Sequence, residues 1–330
     1  MPERIHRLIV AAALAPALAT CKSAEAPPAQ TARYTIEVRQ FGPPMPAAAQ
    51  AAFDSAVAKW ERIITRALAT VNLSAPVGAC ATNSPAVSAA TTGLIILASV
   101  DSIDGPGRKL AQAGPCEVRQ SDGLTALGIM QFDSADVRTL ISDGTLPSVI
   151  LHEMGHVLGF GALWGPPDSV IKANCRQLPS NPPGTIQDTY FSCPRARAVF
   201  DSVGGTSYTG GGSSPPAGNK VPVENCGTSP YVSPACGAGT VNSHWRTAVF
   251  GNELMVGFLP TNPRLSVVTV ATMEDLGYTV NYAAADSYTH AFTAPPAAGA
   301  ARVWLGDDVR HGPIFAVEEH GAVVGVVRPR

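Results

Sequence analysis

The stretch that decides the fold is LHEMGHVLGF, which runs from Leu151 to Phe160. If it is helical, His152 and His156 lie one turn apart on the same face. Two imidazoles at this spacing can bind one zinc ion, and Glu153 beside them can take a proton from water at the metal. The stretch therefore predicts two of the three protein ligands that a catalytic zinc site needs.

The residues around the two histidines predict a packed helix rather than an exposed one. Pro147 suits the first turn, and Gly159 is well placed to end the helix. The predicted buried face consists of Ile150, Leu151, Met154, Val157 and Leu158. Because His152 and His156 lie on a different stripe, the helix can be buried and still direct both ligands into a cleft.

The third ligand is not adjacent to this helix. The compact form of the motif would place it at position 162, which is Ala162 and cannot bind metal. The first glutamate after Glu153 is Glu224, and its irregular surroundings argue against a glutamate ligand. The later histidines are His244, His290, His311 and His320. His244 has the richest context, because NSHWR is soon followed by NELM.

As a set, HEMGHVLGF, a long cysteine-bearing insertion, SHW and NELM resemble the leishmanolysin family of metzincin endopeptidases. The resemblance covers roughly residues 90–282, including MEDLGY as the end of a later helix. It implies that His152, His156 and His244 bind one catalytic Zn2+ ion. It also implies that Glu153 is the general base and that Met255, in the Met-turn, forms an apolar floor beneath the metal.

The activity implied by this resemblance is zinc-dependent hydrolysis of peptide bonds in proteins. Glu153 would accept a proton from the zinc-activated water and pass it to the leaving amine. Two other interpretations stay open. One is a surface-binding or adhesin lipoprotein on a zincin scaffold that has lost catalysis, and the other is a zinc amidase or another hydrolase with the same metal site.

Three further predictions concern the surroundings of the site. Glu253 is a candidate to orient a ligand histidine from behind, with a surface or salt-bridged glutamate as the alternative. Trp245 is predicted to pack in the core, with a place in the cleft wall as the alternative. The strand Leu127–Phe132 is a candidate edge strand to which an extended substrate could add.

The N-terminus resembles an export signal. Arg4 and Arg7 precede an apolar run from Leu8 to Ala19, which is too short to span a bilayer. The run ends in LATC, which resembles a bacterial lipoprotein signal and predicts lipidation of Cys21. Ordinary cleavage after Ala19 is the alternative. The expected protein is therefore exported, either anchored by lipid in the periplasm or on the cell surface, or freely secreted.

Cysteine usage agrees with export. Without Cys21 six cysteines remain, an even number that is typical of disulfides in an oxidising compartment. The predicted pairs join neighbours along the chain, because each pair brackets a loop rich in Gly, Pro or Asn: Cys80–Cys116, Cys175–Cys193 and Cys226–Cys236. Buried thiols are the alternative.

Composition limits the partners. The chain has 330 residues, of which 45% are apolar and 15% charged, so it can bury a core. The net charge is −2 and there is no basic run, so nothing indicates nucleic acid binding. The expected partners are protein or peptide substrates and, through a lipid at Cys21, a membrane; a monomer is expected.

We predict an α+β fold of metzincin type, with an N-terminal twisted mixed sheet whose helices include the active-site helix. An irregular, disulfide-stapled C-terminal subdomain would carry the Met-turn. The predicted strands span 34–39, 94–100 and 127–132, the helices span 47–69, 133–141 and 267–277, and a hairpin joins 301–305 to 322–327.

The predicted organisation has six parts. They are a signal peptide at 1–20, a tether at 21–33, an N-terminal catalytic subdomain at 34–164, a cysteine-rich insertion at 165–240, the third ligand, Met-turn and helix at 241–284, and a C-terminal extension at 285–330. The region before the motif leaves no room for a large propeptide, so the resemblance supplies no means of keeping such an enzyme inactive.

Overall fold

A six-stranded mixed sheet supports the helix predicted from HEMGHVLGF. The computed structural model describes Met1 and residues 32–165, 172–177, 189–208, 221–225, 240–260, 262–289, 292, 302–305 and 307–327. The elements below belong to the unit of the chain that begins at Ala32. The predicted signal and tether up to residue 31, with Cys21, lie outside the described residues, as do Cys226 and Cys236.

The described residues form helices and strands, with five strands in succession between α1 and α2. The α-helices are α1 (Ala47–Ile63), α2 (Ser134–Ser142), α3 (Leu146–Val157), α4 (Pro194–Ser202), α5 (Thr247–Phe250) and α6 (Val267–Leu276). The strands are β1 (Ile36–Gln40), β2 (Val71–Ala75), β3 (Val87–Thr91), β4 (Leu94–Asp101), β5 (Ala111–Arg119), β6 (Thr125–Asp133), β7 (Arg176–Gln177), β8 (Tyr190–Phe191), β9 (Val221–Pro222), β10 (Phe258–Pro260), β11 (Arg302–Trp304), β12 (Ile314–Val317) and β13 (Val323–Val327). Among the helices of this described part, none is long and apolar enough to cross a bilayer.

The main sheet has the strand order β1-β4-β6-β5-β12-β13. Strands β1, β4 and β6 are parallel, and β5 runs antiparallel to β6. Strand β12 then pairs parallel to β5, and β13 returns antiparallel to β12. The sheet is therefore mixed, which agrees with the predicted α+β class, and strands from the end of the chain join strands from its first half.

Strand β4 is buried on both faces of the sheet. All its residues from Leu94 to Val100 are buried, as expected for a central strand in a continuous apolar run. Ile96 and its neighbours on one face pack into the core formed with α1 and α3. Ile95 and Leu97 point to the opposite face, where the β2–β3 hairpin and the Cys80–Cys116 region cover the sheet.

The structure corrects three of the predicted elements. The helix predicted over 47–69 ends at Ile63, because Ile64 leaves the helix to bridge Val280. The segments predicted to form one hairpin are not partners, since β11 pairs with β10 and β13 with β12. The strand predicted at Leu127–Phe132 is not an edge strand, because β6 lies between β4 and β5.

Two of the predicted disulfides are confirmed. Cys80 is bonded to Cys116, and Cys175 is bonded to Cys193. The first bond joins the loop after the β2 strand to the main sheet, and the second closes a loop of the cysteine-rich insertion. The alternative of buried thiols is therefore wrong for these four cysteines.

We expect Glu117→Gln to reduce the pH dependence of stability. Glu117 is only 3% exposed, its Oε2 finds no hydrogen-bond donor in the described part of the chain, and burial raises its pKa to about 7. The folded protein therefore holds this proton between the ordinary pKa near 4.5 and about 7, whereas the unfolded chain releases it. Stability is lost as pH rises through this window, by about 3 kcal/mol at this residue.

The measurement is the free energy of unfolding by denaturant at pH 5 and pH 8 for both proteins. Wild type should lose more stability than Glu117→Gln across this interval. An equal loss in the two proteins would show that Glu117 carries no such proton.

Candidate metal centre

Helix α3 holds the first two predicted ligands and buries them. Gly128 on β6 allows the helix to lie directly on the sheet, because a β-carbon there would be 2.2 Å from Cγ1 of Val157. The side chains of His152, Glu153 and His156 are all inaccessible to solvent. The prediction that the histidines belong to a packed helix is confirmed.

His244 is 88 positions after His156 in the sequence, and the fold brings it to the end of this helix. Its own carbonyl accepts a hydrogen bond from the Glu224 amide, and the next residue, Trp245, donates its amide to the Met255 carbonyl. Gly161 permits a close approach, because a β-carbon there would lie 2.1 Å from the Ser243 carbonyl oxygen. Glu224 thus helps to hold the His244 segment rather than supplying a ligand.

The three imidazoles converge through their Nε2 atoms. The separations are 3.0 Å between His156 and His152, 3.1 Å between His152 and His244, and 2.9 Å between His156 and His244. Ligand atoms about 2.0–2.1 Å from a tetrahedral ion lie roughly 3.3 Å apart. The observed triangle therefore fits three nitrogen ligands of one metal ion.

Each Nδ1 atom contacts a backbone carbonyl on the opposite side of its ring. The partners are Leu254 for His152 at 2.7 Å, Phe160 for His156 at 2.9 Å, and Thr240 for His244 at 3.0 Å. A carbonyl can only accept, so each Nδ1 carries the hydrogen and leaves the Nε2 lone pair facing the common point. This is how second contacts orient histidine ligands in metal sites.

A fourth donor, which the sequence analysis missed, comes from the C-terminal extension. Oδ2 of Asp308 lies 3.2 Å from Nε2 of His244, 3.5 Å from that of His152 and 3.9 Å from that of His156. The carboxylate is almost fully buried, and the four ligand atoms lie within 4.8 Å of one another. His152, His156, His244 and Asp308 therefore form a group that could hold a metal ion.

Burial and the mutual attraction of Asp308 and the histidines shift the pKa values in this group. Burial lowers the pKa values of His152 and His156. Burial acts in the same direction on His244, but the attraction of Asp308 outweighs it and the pKa of His244 is raised. Although burial alone would raise the pKa of Asp308, the facing histidines lower it. The Asp308 carboxylate and the His244 imidazole thus each favour the charged form of the other, so a metal ion would compete with protons for this group.

Glu153 has no structural partner that explains its burial. Among the described residues, neither of its carboxylate oxygens has a hydrogen-bond partner. Burial raises its pKa well above the ordinary value, and the negative charge of Asp308 raises it further. A buried carboxyl without a partner is costly to stability, which is typical of a group kept for chemistry.

The turn that contains Met255 lies beneath the histidines. A β-carbon at Gly155, between the two helix ligands, would be 2.9 Å from Sδ and from Cε of Met255. The preceding residue, Leu254, supplies the carbonyl that orients His152. Met255 therefore forms an apolar contact under the helix.

Glu253 stabilises this turn and not a ligand. Its carboxylate accepts hydrogen bonds from the amide of Met255, the amide and hydroxyl of Ser266, and the hydroxyl of Thr269. It is fully buried, and among the bonds of the described residues none joins it to a ligand histidine. The prediction that Glu253 orients a ligand histidine is therefore wrong, and so is the alternative of a surface glutamate.

Trp245 packs in the core, as predicted. It is fully buried among aromatic rings, and its indole Nε1 donates to the Thr269 hydroxyl at 2.9 Å. The neighbouring rings are Phe160, Trp164, Phe191 and Phe250. This cluster joins the end of α3 to the segment that carries His244.

No known family model matches this chain, and no curated protein is similar enough to count as a relative. The resemblance to leishmanolysin-type metzincins therefore stays a prediction. It depends on the residues named above and on the donor group that the fold assembles from His152, His156, His244 and Asp308.

Proposed function

We propose that this protein is a zinc-dependent endopeptidase of leishmanolysin-like type. The observation that carries the proposal is the position of Glu153, which is buried without a hydrogen-bond partner among the described residues, next to His152 on the helix of the metal group. A site that only bound metal would need His152, His156 and a third donor, but it would gain nothing from this glutamate.

The donor set supports zinc as the metal. Three neutral imidazoles and one carboxylate are ligands that zinc accepts in tetrahedral sites, and three histidines are a known catalytic set. When bound, zinc would supply a Lewis acid that polarises a carbonyl and activates a water molecule. His152, His156 and His244 would hold it through their Nε2 atoms, because each Nδ1 is engaged by a backbone carbonyl.

Glu153 would move the proton in this reaction. Its carboxylate can accept a proton from the attacking water and give it to the amine that leaves. The apolar surroundings of α3, with Met255 beneath it, would exclude other water from the site.

The same proposal covers location and partners. Peptide bonds of proteins outside the cytoplasm would be the substrates, because the N-terminus resembles an export signal and the cysteines at 80, 116, 175 and 193 form disulfides. A lipid at Cys21 would anchor the protein to a membrane as a periplasmic or surface lipoprotein.

A second candidate function is a metal-binding or adhesin protein without hydrolytic activity. Asp308 favours it, because a fourth protein ligand is typical of closed, structural zinc sites. The two candidates differ in one respect that can be tested, since only the first requires Glu153.

We expect hydrolysis of a reduced and alkylated protein to depend on zinc. The full chain and Asp308→Ala should be stripped with a chelator and assayed before and after one equivalent of zinc is restored, with new amino termini identified by mass spectrometry. Asp308→Ala is included because Asp308 lies against the ligands. Cleavage should appear with zinc in at least one of the two proteins and be absent without it.

Magnesium, which prefers oxygen ligands, is the matched metal control and should restore no cleavage. If neither protein cleaves anything when it is loaded with zinc, the endopeptidase proposal is contradicted and the metal-binding or adhesin function is favoured.

A further inference from the structure

The segment that carries Asp308 lies along β5 as an added strand. The Ala113 amide donates to the Asp308 carbonyl at 2.8 Å, and the Arg310 amide donates to the Ala113 carbonyl at 2.8 Å. Further along, Phe315 to Val317 in β12 pair in parallel register with Glu117 to Arg119. Residues 307–317 therefore follow β5 over most of its length; we call them the covering segment.

The covering segment occupies a sheet edge beside the metal group. Strand β5 pairs with β6 on one side, so its other side would be the edge of the sheet without this segment. Helix α3 packs against both β5 and β6, which places this edge next to the histidines. Extended peptides bind proteins by adding a strand to such an edge, which is thus the natural place for a peptide substrate.

The covering segment presents a side chain to the histidines and not a peptide bond. The Asp308 carbonyl is directed to the Ala113 amide, so the backbone carbonyl is turned toward β5. Only the carboxylate reaches the three Nε2 atoms, at 3.2 to 3.9 Å. A segment bound in this way fills the place of a substrate without offering a bond to cleave.

Neighbouring residues fix Asp308 in this position. The Arg310 guanidinium donates to the carbonyls of Cys80 at 3.0 Å and of Pro115 and Pro313 at 2.9 Å. Val309 is buried, while Asp307 on the other side contacts His311 at 3.0 Å. Arg310 thus ties the covering segment to β5 and to the loop held by the first disulfide.

We propose that the covering segment is a built-in inhibitor of the site, which acts as a pseudosubstrate and keeps the endopeptidase latent until it is displaced. Its backbone takes the sheet edge that a peptide substrate needs, and Asp308 takes the coordination position that catalytic zinc keeps open. That the segment takes the place of a substrate rests on the proposed function. The blocking of the metal position, however, can be measured without any hydrolysis.

The experiment uses the zinc-loaded full chain and three single variants. Asp308→Ala removes the blocking carboxylate, and Arg310→Ala loosens the covering segment but keeps every ligand. Glu318→Ala is the matched control, because Glu318 is exposed and follows the covering segment directly. Binding of acetohydroxamate, a small bidentate ligand that needs an open metal position, is measured by calorimetry. Zinc content and hydrolysis of a reduced, alkylated protein are measured in parallel.

Wild type should bind acetohydroxamate weakly. If the segment is displaced in about a tenth of the molecules or fewer, Asp308→Ala should bind it roughly 10-fold or more tightly than wild type. Arg310→Ala should shift in the same direction by a smaller factor, and Glu318→Ala should stay within about 2-fold of wild type. Hydrolysis should rise in the same order.

The inhibitor proposal is overturned if zinc-loaded Asp308→Ala binds acetohydroxamate no more tightly than wild type. If Asp308→Ala does not retain zinc, Arg310→Ala decides by the same criterion. Tighter acetohydroxamate binding without hydrolysis in any variant would support the blocked metal position and would reject the endopeptidase, so failure of the two proposals is distinguishable.

Discussion

We expect His244→Ala to lower zinc affinity by roughly 10²- to 10³-fold. Zinc binding by four protein ligands is worth about 10–16 kcal/mol, so one ligand contributes roughly 2.5–4 kcal/mol. His244 is also the histidine nearest to the Asp308 carboxylate, at 3.2 Å, and its loss leaves that buried carboxylate with fewer partners. The measurement is competition for zinc against a chromophoric chelator of known affinity at pH 7.5.

His320→Ala is the matched control, because His320 is exposed in the turn between β12 and β13. It should bind zinc as wild type does. If His244→Ala also keeps wild-type affinity while circular dichroism shows a folded protein, the convergence of the three Nε2 atoms does not define a metal site.

We expect Glu153→Gln to abolish hydrolysis while the metal stays bound. The comparison is made in the Asp308→Ala background, where the coordination position is open. Glutamine has the size of glutamate but cannot accept the proton, so the rate should fall by about 10²- to 10⁴-fold, the usual contribution of a general base. Zinc affinity should change little, because Glu153 is outside the group of ligand atoms.

The control for charge removal is Glu318→Gln, at an exposed position after β12. It should leave both the rate and the zinc content unchanged. Retention of full hydrolysis by the Glu153→Gln protein would reject Glu153 as the general base and would require another proton acceptor. A parallel fall in zinc content would instead indicate that Glu153 supports the ligands.

The local features of the site could be predicted from the sequence because they depend on short spacing. His152 and His156 are four positions apart, and Pro147 and Gly159 mark the ends of a helix whose burial follows from its apolar positions. His244 and Met255 were found only through the resemblance, as no spacing rule connects them to the helix. The structure brings all four side chains together.

Asp308 could not be predicted in this way. It lies 64 positions after His244, in a segment without helical or strand periodicity strong enough to place it. The Asp307–Asp308 pair is the signal that was present, and it does not distinguish a ligand from a surface carboxylate. Its position follows from the pairing of residues 307–317 with β5, a contact between distant parts of the chain that local patterns do not specify.

The sheet order shows the same limit. The apolar runs predicted β4 and β6, but which strand lies beside which depends on the whole chain. The prediction of 127–132 as an edge strand was wrong because β5, whose sequence AQAGPCEVR lacks a clear alternation, pairs beside it. The prediction of one C-terminal hairpin was wrong because β11 and β13 each pair with another strand.

The most direct test of this account is a crystal structure of the zinc-loaded full chain, with anomalous diffraction recorded on both sides of the zinc edge. We expect one zinc ion about 2.0–2.1 Å from Nε2 of His152, His156 and His244, with an oxygen of Asp308 as the fourth ligand. Zinc bound at another position, or bound without His244, would contradict it.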